Sequence, residues 1–465
     1  MPAQPATACR PIADLFVRTQ TEKPGSGGCR VLKRCARGAW VPGAGDSAWI
    51  AGRVRPPRRY AWEMLENLLW LFAGAVLGVA LDRVWDPVWQ RFAGTLRRRR
   101  SAGRVRTDAT IHATVPQAYR SAGLGDSLIR ASALPSLDMP MLFDESLSVS
   151  ADAATGRVPF VLIDDPVRRE FPVDRGVIRA KRASGAELWD GDVLYLVSAA
   201  IDEAGAGHVV RSLRVGVANY FSYVTVSNAW KSRMTCRGSD WLHGSPYRSL
   251  LSLLADPPMP LAIAAVAVCV FETGDGLRIP VATRSEAVVN GMGRAGLIPT
   301  FGLESNVKAG QASRFDVLTY NFLKEFMEEM FGYEPLIHEA DSGRLDPDAI
   351  FGNPMGELLL AQFADGRARL EIAGISGELT DGTLTILLDA RFTDPEFYLA
   401  VRRAAKPNFE WRADGDSREP IVFHDAGDLL SGRSQVLGRL TPSSFIALEL
   451  WARRSTAPGA SRREP

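Results

Sequence analysis

Cysteine is scarce. The 465 residues hold five (Cys9, Cys29, Cys35, Cys236 and Cys269), and no two form a Cys-x-x-Cys pair. An odd, unspaced set argues against a disulfide framework or a structural zinc site and fits a reducing compartment. Histidine is equally sparse: His112, His208, His243, His338 and His424 stand alone, so no local metal motif is built from them. Net charge is only +2, so no overall field steers the chain to nucleic acid, and no nucleic-acid partner is expected. There is no internal repeat, and one long uncharged apolar run stands alone at Leu68–Leu81.

That run, LLWLFAGAVLGVAL, covers only about 21 Å as a helix, short of the ~30 Å hydrocarbon core of a bilayer. Extended over residues 62–85 it reaches far enough, with Trp62, Trp85 and Trp89 as interfacial anchors. Arg53, Arg55, Arg58 and Arg59 precede it; Arg97 to Arg100, Arg104 and Arg106 follow. The heavier downstream cluster predicts a single-pass anchor in the inner (cytoplasmic) membrane, with the C-terminal bulk in the cytoplasm. A buried helix of a soluble domain is the competing reading. Gly74 and Gly78 form one GxxxG, which permits a homodimer.

Residues 1–61, rich in Pro, Gly, Ala and Arg, bury too little apolar surface to order themselves. Met64 is an alternative start, opening a chain that reads directly into the anchor. Residues 86–107 read as a basic linker. An accessory α/β region follows over 108–255, with a strand at Val158–Asp164 and a hairpin made by Val193–Asp202 and His208–Val217. Tyr220–Val226 reads as a further strand. A second domain spans 256–455, and 456–465 is a disordered tail.

In that second domain Leu261–Glu272 and Leu277–Arg284 form a hairpin about Thr273-Gly274-Asp275-Gly276, and Gly291–Gly302 is a glycine-rich loop. Phe315–Phe331 has helical periodicity through Phe315, Leu318, Phe322, Phe326 and Met330, and Gly332 is a natural stop. Strands are expected at Leu336–His338, Leu358–Phe363, Leu370–Ile375 and Thr383–Leu388. A last helix opens at Thr441-Pro442, with Thr as cap.

Chemistry concentrates in Lys324-Glu325-Phe326-Met327-Glu328-Glu329. On a helix Glu325, Glu328 and Glu329 fall at i, i+3 and i+4, so three carboxylates share a face while Phe322, Phe326 and Met330 anchor another. Such hard oxygen ligands suit Mg²⁺ or Mn²⁺ beside substrate phosphates. A solvated acidic face is the alternative.

The stretch resembles the Nudix box. Gly310 is followed after five residues by Asp316 and after seven more by Lys324-Glu325-Phe326-Met327-Glu328-Glu329, and the box closes on Gly332-Tyr333. Asp316 stands for Glu, Lys324 for Arg, and Phe331 is an extra residue before the glycine. In a second register Pro299-Thr300-Phe301-Gly302 matches the Pro-Gly-Gly that abuts the box, with an enlarged loop after Gly302 and no role for Gly310.

The resemblance, over residues 256–455, implies an α/β (α+β) fold: a Nudix-type mixed-sheet α/β/α sandwich. It further implies Glu325, Glu328 and Glu329 as metal ligands for Mg²⁺ or Mn²⁺ and as catalytic residues. Lys324, Asp316, Gly302, Gly310 and Gly332 support them. The implied activity is hydrolysis of a diphosphate bond in a nucleoside diphosphate derivative. Glu378 and Asp381 are candidates for a general base outside the box, against an ordinary polar turn. The alternatives are a Nudix-like nucleotide sensor or effector in a bacterial signalling or defence system, and a structural membrane adaptor.

Overall fold

Ile263–Thr273 reads IAAVAVCVFET, and a strand with so little polarity belongs where both faces are covered. It lies there. Ile263, Ala265, Ala267, Cys269 and Phe271 enter one apolar cluster, while Val266, Val268 and Val270 enter another on the opposite face. The computed structural model describes residues 111–456, apart from 135–138, 150–159, 163–167, 184, 187, 189, 237–239, 244, 258–259, 286, 289, 305–315, 334–351 and 413–418. All described residues belong to one unit, Gly94–Pro465. The stretch 62–85 expected as an anchor, the expected tail 1–61 and linker 86–107, residues 457–465, Gly310 and the strand expected at Leu336–His338 lie outside them. Among the described residues no helix is long and apolar enough to cross a membrane.

Thirteen strands are described. Met141–Leu142 (β1), Leu147–Val149 (β2), Phe160–Leu162 (β3), Asp192–Ala204 (β4) and Gly207–Asn219 (β5) precede Ile263–Thr273 (β6) and Gly276–Arg284 (β7). Ala295–Leu297 (β8), Thr300–Gly302 (β9), Ala368–Glu378 (β10), Thr383–Phe392 (β11), Trp411–Arg412 (β12) and Ile421–Asp425 (β13) follow. The helices that matter here are α1 (residues 111–121), α2 (Arg175–Ala183), α3 (Tyr220–Cys236) and α4 (Leu250–Ala255). After them come α5 (Val317–Phe331), α6 (Pro354–Ala364), α7 (Pro395–Ala404), α8 (Ala426–Leu430) and α9 (Pro442–Thr456).

The main sheet runs β1-β10-β11-β6-β7-β12, with β8 and β13 on β7 and β9 on β6. β11 and β6 pair in parallel, from Leu384 opposite Ile263 to Phe392 opposite Phe271; the other pairs are antiparallel. α5 packs Phe322, Phe326 and Met330 on one face, and α9 packs Phe445, Ile446 and Leu448 on the other. The mixed sheet with its helices agrees with the α/β class that the resemblance implied.

β6 and β7 pair at only three positions next to their turn, from Phe271–Arg278 to Thr273–Gly276, and then diverge. β9 takes over the free edge of β6, and β8 that of β7. The hairpin therefore opens at the end away from its turn.

The smaller sheet, β2-β5-β3 with β4 on β5, falls within the stretch expected as an accessory region, although β1 of that stretch joins the main sheet at β10. It is stitched to the main body by backbone hydrogen bonds from Leu194 N to Leu303 O and from Leu196 N to Leu261 O, both 2.9 Å. Two expectations fail here. Tyr220–Val226 is the start of helix α3, with the Asn219 side chain accepting from Phe221 N at 2.9 Å in the manner of a cap. Leu358–Phe363 is helical within α6, which Asn353 caps by accepting from Met355 N and Gly356 N at 3.0 Å each. The glycine-rich stretch 291–302 also contains the two short strands β8 and β9.

Candidate functional site

Helix α5 begins where Asp316, in extended conformation, accepts hydrogen bonds from Leu318 N and Thr319 N at 3.0 Å each and from Thr319 Oγ1 at 2.8 Å. Asp316 is thus an N-cap, occupied with the helix end. The helix ends at Gly332, whose φ of 61° is left-handed and whose N–H bonds back to Glu328 O. Between these stops the polar face turns into a cavity of about 510 Å³. Glu325, Glu328 and Glu329 all line it, as do Lys324 and Gly302. An added Cβ on Gly302 would meet nothing within 4 Å, so that glycine leaves room at the wall without being sterically required.

Lys324 sits among carboxylates. Its Nζ is 3.0 Å from Glu325 Oε1, 3.3 Å from Glu328 Oε2 and 3.3 Å from Glu304 Oε2. Burial alone would lower the ammonium pKa, but Glu325, Glu304 and Glu328 outweigh it and hold Lys324 well above its ordinary value. Glu329 takes a different partner, accepting from Thr300 N at 3.0 Å. Beyond it Arg284 Nη2 reaches Glu410 Oε2 at 3.0 Å, and the guanidinium lies 4.7 Å from the Trp411 ring centroid. Arg284 Nε and Nη1 are buried and, among the described residues, find no hydrogen-bond partner.

These carboxyls are held in a poorly hydrated place. Burial pushes Glu325 up to about 8, against the pull of Lys324 and with the push of Glu328, Glu304 and Glu410. Glu328 is raised by burial, and Glu329 well above its usual range by burial and then by Glu410. Among the described residues, five carboxyl groups (Glu304, Glu325, Glu328, Glu329, Glu410) stand with two cations (Lys324, Arg284) along this part of the cavity lining. Burial first, and then the carboxylate charge that these cations leave uncompensated, favours the protonated forms. A divalent cation bound by hard oxygens would relieve it equally, so the donor set fits Mg²⁺ or Mn²⁺. Among the described residues no three His, Cys, Asp or Glu side chains already stand grouped at metal-holding distance. Lys324 lies between Glu325, Glu328 and Glu304 instead.

The other end of the cavity is mixed in character. Asn290 Oδ1 accepts from Lys231 Nζ at 2.7 Å, and Asn290 Nδ2 donates to Tyr223 OH at 3.1 Å and Asp381 Oδ2 at 3.2 Å. Thr383 Oγ1 donates to Asp381 Oδ1 at 2.8 Å, and Thr380 Oγ1 donates to Glu378. Glu378 is pushed up to about 8 by burial and then by Asp381, against hydrogen bonds from Thr380 and Ser443. Both base candidates therefore enter the same cavity as the acidic helix. His112, on α1, lines it too, and burial lowers its pKa to about 3, so the ring is neutral.

Of the residues picked from the sequence, the cavity gathers Gly302, Lys324, Glu325, Glu328, Glu329, Glu378 and Asp381; Asp316 and Gly332 serve the helix ends. Arg284, Glu304, Glu410, Tyr223, Lys231 and Asn290 were not singled out. They stand apart along the chain without a motif, and only the fold assembles them.

No protein-family model and no curated protein matches the chain. Two solved structures of a bifunctional NMN adenylyltransferase/ADP ribose pyrophosphatase from Francisella tularensis, one complexed with AMP and Mn ion, are similar to it at 14% identity, with TM-scores of 0.21 and 0.20. The likeness covers 48% and 50% of this chain and 44% and 51% of those, so the chain spans about half the length of the structures it matches. At that level the likeness bears on neither the activity nor the ligand of this chain.

Proposed function

We propose that the chain is a Nudix-type hydrolase that cleaves a diphosphate bond in a nucleoside diphosphate derivative with Mg²⁺ or Mn²⁺, tethered to the inner membrane through residues 62–85. The observation that carries this is the meeting of Glu325, Glu328 and Glu329 on the wall of one cavity with more carboxylate charge than Lys324 and Arg284 offset. Glu325, Glu328 and Glu329 would hold the cation. Bound there, it supplies neutralisation of phosphate oxygens and Lewis acidity at the attacked phosphorus.

The remaining work falls to this chain's own groups. Lys324 spaces Glu325 and Glu328 and keeps them oriented; as a point charge it does so without the fork of an arginine. Arg284 carries two buried N–H-bearing nitrogens with no partner among the described residues, which suits an anionic ligand oxygen. Glu378 or Asp381 takes a proton from the attacking water. Glu378, raised to about 8, can both accept and return one near neutral pH.

A second reading, a nucleotide sensor that binds without cleaving, has one observation in its favour: Lys324 already serves as an internal counter-cation to Glu325 and Glu328. Incubation of the protein with Mn²⁺ or Mg²⁺ and a panel of nucleotide sugars, dinucleoside polyphosphates and cyclic oligonucleotides separates the two. Turnover that is lost in Glu328→Gln and Glu329→Gln supports the hydrolase. Saturable binding without turnover sinks it in favour of the sensor.

A further inference from the structure

The wall that faces the acidic helix is not Nudix-like sequence at all. Tyr220, Tyr223 and Lys231 come from α3 of the accessory region, and their spacing of three and eight residues puts them on one face of that helix. The two tyrosine rings lie 5.8 Å apart, tilted by 43°. Lys231 joins them to the main body through Asn290, which in turn reaches Tyr223 OH and Asp381.

The helix is held firmly in that position. Trp230 Nε1 donates to Leu379 O at 2.8 Å, and its ring stacks on Tyr247 with centroids 3.8 Å apart. A Cβ added to Gly382 would come within 3.3 Å of the same indole. α3 is therefore docked on the β10–β11 turn that carries Glu378 and Asp381, and its cavity face is a fixed wall.

The chemistry of this end decides what it takes. A phosphate would meet the carboxyls of Glu378 and Asp381, and the cations of this end, Lys231 and Arg294, are already engaged with Asn290 Oδ1 at 2.7 Å and Leu440 O at 2.8 Å, which is unfavourable. A metal would compete with the Asn290 amide and Lys231 for the oxygens of Asp381. Phenol, amide, ammonium, carboxyl and threonine hydroxyl together offer donors and acceptors in turn, flanked by aromatic rings. That mixture suits an uncharged polar group with its own hydroxyls or ring nitrogens. We infer that α3 and Asn290 form the selectivity site for the organic part of the ligand, a sugar or nucleobase joined to the diphosphate that the acidic helix engages through its cation. The inference rests on the metal–diphosphate reading of α5.

Calorimetric titration of the full chain with Mn²⁺ alone, then with inorganic pyrophosphate, ADP-ribose and diadenosine tetraphosphate in the presence of Mn²⁺, tests it. Lys231→Met and Tyr223→Phe are expected to weaken at least one organic ligand about tenfold, the loss of one hydrogen bond to a polar group. Pyrophosphate and Mn²⁺ binding should stay within about twofold of wild type. Tyr223→Phe keeps the ring and serves as the check should Lys231→Met fold poorly. The inference is overturned if pyrophosphate weakens as much as the organic ligands, if neither variant weakens them, or if wild type binds Mn²⁺ and pyrophosphate but no organic diphosphate. Failure of wild type to bind Mn²⁺ would remove the metal reading of α5 itself.

Discussion

Lys324 and Glu325, adjacent in the chain, form a buried ion pair at 3.0 Å inside the cavity wall, although neighbouring residues on a helix do not normally face each other. The lysine bends back to reach Glu325 while staying within 3.3 Å of Glu328 and Glu304. One ammonium thus organises three carboxylates, and everything proposed for the site depends on that geometry.

Removing the cation should be costly. Lys324→Met leaves these buried carboxylates without their counter-charge once they ionise, so the variant is expected to lose about 3–5 kcal/mol of stability in urea denaturation at a pH above the value of about 8 to which Glu325 is raised. Mn²⁺ should restore part of that loss. Lys324→Arg should retain most of the stability. A wild-type midpoint for Lys324→Met would contradict the network.

The pH dependence has a definite sign. Burial raises Glu325 and Glu378 to about 8 in the folded chain from 4.5. Between those values the folded state holds protons the unfolded state has released, so stability contributed by these groups is present at low pH and falls as pH rises toward 8. Metal binding needs the ionised carboxylates, so Mn²⁺ affinity should rise over the same range. Thermal melts from pH 5.5 to 8.5, with and without Mn²⁺, check both trends.

Glu449 behaves in the opposite sense. Buried on α9, it accepts from Ser132 N, Ala133 N and Leu134 N at 2.7, 3.0 and 2.8 Å and from Arg453 Nε at 2.7 Å. Burial works to raise its pKa, but these donors more than compensate and lower it. Its stabilisation is therefore present above the ordinary carboxylate value and lost as pH falls through the depressed one. Glu449→Gln is expected to cost about 2–4 kcal/mol at neutral pH. Chemical denaturation should show the gap to wild type narrowing in acid.

The anchor proposal concerns residues 62–85. The full chain should sediment with membranes and resist carbonate extraction, whereas a chain lacking residues 1–107 should stay in the supernatant. Release of the full chain by carbonate would dismiss the tether.

Much of α5 was legible because apolar Phe322, Phe326 and Met330 fall in helical phase and Gly332 stands at the end, whereas Asp316, read as part of the box, proves to be the cap. Tyr220–Val226 misled because aromatic and β-branched residues favour strands in isolation; packing of Tyr223 and Val224 into the accessory core overrides that preference. At Leu358–Phe363 the apolar run was read alone, while the true signal, Asn353-Pro354 as cap and first turn, lay just upstream. The selectivity wall was invisible for another reason. Lys231, Asn290 and Asp381 lie far apart in the chain, and no periodicity brings them together.

Gly332 abuts the backbone of the segment after α7: a Cβ there would lie 2.8 Å from Lys406 O, and Lys406 N already donates to Met330 O at 2.8 Å. With Asp316 fastening the opposite end, the rod is pinned at both tips and cannot be re-indexed. Inserting or deleting one residue between the pins would swing the three glutamates about 100° around the axis, out of the chamber and into the hydrocarbon packing. Length, more than residue identity, is what this stretch of chain is least free to change.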